Sequence, residues 1–236
     1  MITEKFDYAP LNRTTIDGKR HYSLPDGSAV PSVTTILDRT KPAEARESLA
    51  KWRKFVGEER AQQITTEAAA RGTRMHSYLE SYVLTGDFKE LPSNPFAQPS
   101  WFMAAEVILQ GLDNVTEYWG VEVPVYYSGL YAGTTDCVGE WKGRPAIMDF
   151  KQSNKPKKKE WISDYCLQLC AYAQAHNVTH GTDIKTGVVL MAVKPTQLPD
   201  NTWSKPEYLE FVIQDDEFEY WCEQWNRRVA QYYRTA

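Results

Sequence analysis

Asp136, Asp149 and Lys151 are spaced so that a single β-hairpin would gather them. Strand patterns at 131–141 and 145–151 flank Lys142 and Gly143, a two-residue turn in which Gly143 is free to take positive φ. If Trp141 pairs with Arg144, stepping the register back along both strands sets Asp136 opposite Asp149, with Cβ atoms about 5 Å apart. Side-chain alternation then puts Lys151 on the same face as Asp149. A one-residue bulge would break this register.

Two facing carboxylates destabilise a sheet and drive one carboxyl pKa up unless a cation lies between them. Hard oxygen donors on a rigid hairpin suit Mg²⁺ or Mn²⁺. The neighbouring lysine could steer a water or stabilise charge growing at a phosphorus centre under attack. Residue types alone thus point to a divalent metal and a phosphate. An ion-pair cluster with no metal is the plain alternative.

The order of motifs narrows the choice. Gly133-x-x-Asp136, Asp149-Phe150-Lys151 and Gln168-x-x-x-Tyr172 follow one another, after a Gly72-x-x-x-His76-x-x-x-Glu80 segment and an earlier Pro31-Ser32-Val33-Thr34. Asp-x-Lys alone is common by chance, but the ordered set resembles the PD-(D/E)XK nuclease core in its RecB-like form. Within that form it resembles the mitochondrial genome maintenance exonucleases and their phage and bacterial cousins.

That resemblance implies an α/β fold with a restriction-endonuclease-like mixed β-sheet flanked by helices. Residues 1–115 would form an N-terminal hairpin and helical elaboration over the cleft, and 116–236 the catalytic core, within one domain. It implies metal-dependent hydrolysis of DNA by an exonuclease acting on single strands with a free end. Asp136, Asp149 and His76 would hold the metal together with the Phe150 carbonyl. Lys151 and Gln168 would orient water, while Tyr172 would support the site or stack on a base. Glu80, one turn from His76, is a candidate partner behind the ligands. Rival readings are a structure-specific endonuclease, a double-strand exonuclease of recombination, and a non-catalytic nucleic-acid-binding module.

The 236 residues are enough for one large α/β domain, and the 42% apolar content is that of a globular chain. A formal charge of −4 argues against broad coating of DNA but leaves room for a local basic groove. No apolar run approaches a membrane span, and the first residues read as neither a signal nor a transit sequence. A bacterial cytoplasm is expected, or host cytoplasm if the chain is phage-encoded. The cysteines, Cys137, Cys166, Cys170 and Cys222, lack the spacing of the iron–sulfur cluster found in some RecB-like nucleases. Neither a cluster nor a disulfide is expected. No helicase motif is present, so a motor or other replication or recombination protein would be a separate chain.

Along the chain, Asp17-Gly18 and Asp26-Gly27 mark turns in a polar first segment. Ser32 is placed to cap a helix, where its hydroxyl with those of Thr34 and Thr35 could dock a phosphate, or could only cap. Residues 42–85 read as helical. A helix is expected at 100–112 with Trp101, Phe102, Ala105, Ile108 and Leu109 inward, and a strand at 121–127 whose Pro124 suggests an edge or bulge. Glu122 on that strand could be a ligand, a group behind the ligands or a surface carboxylate. Lys155, Lys157, Lys158 and Lys159 form the densest basic patch, either a solvated loop or a phosphate contact beside the catalytic strand. A helix over 161–176 carries Gln168 and Tyr172 one turn apart, strands follow at 187–193 and 208–213, and a helix begins near Asp216.

Overall fold

The structure is a computed structural model that describes residues 2, 3 and 5–235. Asp17 and Gly18 both take positive φ, 49° and 71°, so a tight turn joins β1 (Asn12–Ile16) antiparallel to β2 (Lys19–Ser23). β3 (Ala29–Pro31) adds to the other side of β2. The short helix α1 (Val33–Arg39) starts at Ser32, whose Oγ accepts the Thr35 N–H at 3.0 Å. Gly57, at φ 86°, then separates α2 (Ala43–Val56) from the long α3 (Glu58–Thr85).

After α4 (Gln98–Gln110) the chain enters a five-stranded sheet. Its strands, in spatial as in chain order, are β4 (Val115–Tyr127), β5 (Tyr131–Trp141), β6 (Arg144–Ser153), β7 (Thr186–Val193) and β8 (Tyr208–Gln214). All neighbours are antiparallel except β6 and β7, which α5 (Ser163–His180) joins as a parallel crossover. The chain closes with α6 (Asp215–Thr235). This mixed sheet flanked by helices is consistent with a restriction-endonuclease-like fold. Among the described residues, no helix is long and apolar enough to cross a membrane.

Alternation on the strands assigns the two helical layers. Ile147, Val189 and Met191 pack with α1, α5 and α6, while Met148, Phe150, Val188 and Leu190 pack with α3 and α4. Covered on both faces, β7 is buried at every residue, which is why its sequence is one apolar run. The side chain of Asp149 shares the α5 face with Ile147.

Two expectations need correction. The inward residues of α4 are Met103, Ala104, Val107 and Ile108, and Leu109 is 69% exposed. The helix is turned by its contacts with α3 and β7, and Trp101 lies at its margin against Phe88. Similarly, Trp161 precedes α5 in a separate single turn and stands 59% exposed rather than opening that helix.

Candidate active site

Lys142 and Gly143 both take positive φ, so the β5–β6 turn has the tight geometry that sets the register. The ladder runs from Trp141 opposite Arg144 to Cys137 opposite Met148. There it stops, one step short of Asp136 and Asp149. Instead of a continuing backbone pair, the Asp136 carboxylate lies between the strands, and its Oδ2 accepts the Phe150 N–H at 2.7 Å. The carboxylates therefore sit where the strands open, not in a closed ladder.

On the other side of β5, Glu122 falls between the pairs Val121–Cys137 and Val123–Thr135, at φ 52°. A non-glycine residue in the left-handed region costs about 1–2 kcal/mol. Such strain is held where the surroundings enforce it, commonly at sites of function. It aims the Glu122 carboxylate at His76 of α3, with Oε1 3.7 Å from Nδ1. The same Nδ1 lies 3.6 Å from Asp136 Oδ1, and the Nε2–H donates to the Phe150 carbonyl at 2.9 Å.

His76, Glu122 and Asp136 thus offer one donor atom each, all within 4.8 Å of one another. Asp149 stands beside this group, turned to Lys151, whose Nζ is 2.5 Å from Oδ2. From there a chain of contacts runs along α5. The Lys151 ammonium donates to Gln168 Oε1 at 3.3 Å, and Gln168 Nε2–H donates to the Tyr172 hydroxyl at 2.9 Å. The Tyr172 ring rests on Gly133, where a Cβ would come within 2.5 Å of the ring.

Asp149 is buried; Lys151 Nζ is the close partner of its Oδ2, and its Oδ1 has no hydrogen-bond partner among the described residues. Burial, reinforced by the charge of Asp136 and opposed by Lys151, pushes its carboxyl up to about 6. For Lys151, burial works against the ammonium, but Asp149 and Asp136 outweigh it and hold the pKa above the usual lysine value. His76 follows the same balance: burial disfavours the imidazolium, and Glu122 and Asp136 raise its pKa overall.

An under-bonded buried carboxylate beside two more carboxylates, an imidazole and a backbone carbonyl fits a divalent metal. Donors of this hardness suit Mg²⁺ or Mn²⁺.

The surrounding cleft holds about 670 Å³ and includes Ser32, Thr34 and Glu80 in its wall. Thr35 corrects an expectation: it is buried, and its hydroxyl donates to the Arg20 carbonyl at 2.9 Å, so it cannot reach a ligand in the cleft. The lysines after β6 also lie elsewhere. Lys155 and Lys157 line a second cleft, Lys158 sits over the Trp161 ring, and Lys159 pairs with Glu217 at 2.7 Å. The arginines that line this cleft are Arg13 and Arg20 of the N-terminal hairpin. Sequence reasoning passed over both, because nothing local marks a basic residue in a distant hairpin as a cleft residue.

No family model matches the chain. Over 238 aligned positions it is 27% identical to Mitochondrial genome maintenance exonuclease 1 of Xenopus tropicalis, covering 94% of this chain and 64% of the relative. It is 27% identical to the Mus musculus protein of that name, covering 87% and 59%, and 25% identical to that of Homo sapiens, covering 87% and 58%. Relatives named as exonucleases support a nuclease function. The chain spans less than two thirds of the length of these curated relatives.

Proposed function

We propose that this chain is a divalent-metal-dependent deoxyribonuclease of the RecB-like PD-(D/E)XK kind, an exonuclease working on single-stranded DNA with a free end. The observation that carries this reading is the buried, under-bonded Asp149 carboxylate flanked by Lys151 on one side and the His76–Glu122–Asp136 group on the other. The names of the relatives support the exonuclease part.

Asp136, Asp149, His76 and the Phe150 carbonyl are the groups that would hold Mg²⁺ or Mn²⁺, with Glu122 within reach of them. When bound, the metal supplies Lewis acidity toward a phosphoryl oxygen and lowers the pKa of water. Lys151, kept protonated by two carboxylates, presents a fixed positive charge toward a phosphate oxygen or an attacking water. Gln168 limits where that ammonium can point, and Tyr172 holds the Gln168 amide. Ser32, Thr34, Arg13 and Arg20 offer donors to the phosphates on either side of the scissile bond.

The experiment compares an end-labelled linear single strand, a covalently closed circular single strand and a linear duplex in Mn²⁺. The proposal expects the linear single strand to shorten from one end while the circle stays intact. Nicking of the circle would make the chain an endonuclease, and preference for the duplex would overturn the single-strand assignment.

A further inference from the structure

The long helix α3 has two lined faces. Gly72, Thr73, His76 and Glu80 border the catalytic cleft, whereas Arg60, Ile64, Glu67 and Arg71 border a second cleft of about 980 Å³. At 100° per residue the mean directions of these two sets differ by about 170°. The helix is therefore a wall between the clefts.

The second cleft opens at the C-terminal ends of the parallel strands β6 and β7, where the Lys194 N–H donates to the Ser153 carbonyl at 2.8 Å. Ligands of mixed α/β sheets gather at such strand ends. It also lies close to the chemistry. Lys151 faces the catalytic side and Lys155, four residues on and just past the end of β6, lines the second cleft, a separation of at most about 13 Å.

Charge and ring content set this cleft apart. In a chain of net charge −4, its wall holds Arg60, Arg71, Lys155, Lys157 and Lys194 against one carboxylate, Glu67. Three tryptophans, Trp52, Trp161 and Trp203, line it as well. Trp161 is 59% exposed, so it contributes little to packing.

Arg71 is the most telling of these residues. The residue as a whole is only 5% exposed although it lines the cleft, and its guanidinium donates to the neutral amides of Gln152, at 3.0 and 2.7 Å, and Asn154. Among the described residues it forms no ion pair with a carboxylate. A buried cation held by neutral oxygens favours an anion at its open side.

Cations that can take phosphates, interleaved with flat rings that can stack on bases, are the two requirements of a groove for a single nucleic-acid strand. A duplex keeps its bases stacked on each other and has no use for the rings. We infer that the second cleft binds single-stranded DNA outside the catalytic cleft, with phosphates on Arg71, Lys155, Lys157 and Lys194 and a base on Trp161. The inference rests on the reading of the substrate as single-stranded DNA. It extends that reading to a second surface, so that affinity grows with strand length beyond what the catalytic cleft alone can hold.

The test measures binding rather than cleavage, in a Lys151→Ala background. Labelled oligothymidylates of about 4 to 16 nucleotides are titrated by fluorescence anisotropy, spanning the site sizes of single-strand grooves. Affinity should rise with length. Trp161→Ala should weaken binding of the longest strand about tenfold, and Lys157→Ala should reduce the steepness of log K against log salt by about 0.7. Both positions are at or near the surface, so folding does not confound the result. If both variants keep the parent's length and salt dependence, the second cleft is not a strand groove. Tighter binding of oligouridylate than of oligothymidylate would overturn the DNA assignment. Failure of the nuclease reading would show separately, as absence of metal-dependent hydrolysis by the unsubstituted protein.

Discussion

The Asp136 carboxylate does the work of a strand partner for Phe150, accepting its backbone N–H at 2.7 Å where the β5–β6 ladder has ended. One side chain thus closes an open hydrogen bond with Oδ2 and belongs to the group that could hold a metal. Asp136→Asn keeps an acceptor for that N–H, whereas Asp136→Ala leaves it unpaired at about 1–3 kcal/mol. Chemical denaturation should therefore find the alanine variant the less stable of the two. Saturating Mn²⁺, at about 100 times its Kd, should raise the melting temperature of the parent by about 5–10 °C. That rise should be absent in Asp136→Asn, and an equal rise would mean that the metal binds elsewhere.

Glu122 holds a left-handed backbone conformation without being glycine. Both Glu122→Gly and Glu122→Ala remove the carboxylate, but only glycine relieves the backbone. Urea unfolding should show Glu122→Gly more stable than Glu122→Ala by about 1 kcal/mol. Both should lose activity. Equal stabilities would mean that residue 122 carries no strain.

Gly133 is the seat of the Tyr172 ring, and a methyl group there would meet ring carbon at 2.5 Å. Gly133→Ala must displace Tyr172 and with it the Gln168 amide that steadies Lys151. The expected outcome is a loss of about 1–3 kcal/mol in stability and a lower turnover of bound substrate. Activity retained in full would show that the Gln168–Tyr172 contact does not position the lysine.

Part of this site could be read from the chain because a two-residue turn at Lys142 and Gly143 fixes the register as far as Cys137 and Met148, one step short of the two aspartates. Motif spacing did the same for His76 on α3 and for Gln168 and Tyr172 on α5, where helical geometry determines what shares a face. The remainder depended on contacts distant in sequence. The ladder ends at Cys137, where the Asp136 side chain takes the Phe150 N–H, and Glu122 has positive φ at a register shift between β4 and β5, neither of which a local pattern marks. Thr35 reads as a free hydroxyl until the Arg20 carbonyl is beside it. Lys155 and Lys157 follow β6 directly, yet they line the second cleft, on the other side of α3 from the first. On α4, Leu109 and Ile108 are equally apolar, and only the packing of the helix decides which is buried.

His176 has 0% exposure and sits between the Tyr8 hydroxyl, 3.0 Å from Nε2, and the Thr182 hydroxyl, 2.8 Å from Nδ1. Burial, assisted by the neighbouring His180, pulls its pKa down from 6.5 to about 3. The unfolded chain then binds a proton that the folded chain refuses. Its contribution to stability is complete above about pH 6.5 and falls as the pH drops toward 3. At pH 5 the loss from this residue is about 2 kcal/mol. Unfolding free energies at pH 7.5 and pH 5 should differ less in His176→Gln than in the parent. An unchanged difference would place the acid sensitivity on other groups.

The most direct test of the central claim is the single-turnover release of nucleotide from an end-labelled single strand, by the parent and by Lys151→Ala, with Mn²⁺ and with chelator. Release by the parent is expected only when metal is present, with a rate about 10²–10³-fold lower in Lys151→Ala. Release in chelator, or an equal rate in the two proteins, would contradict the claim.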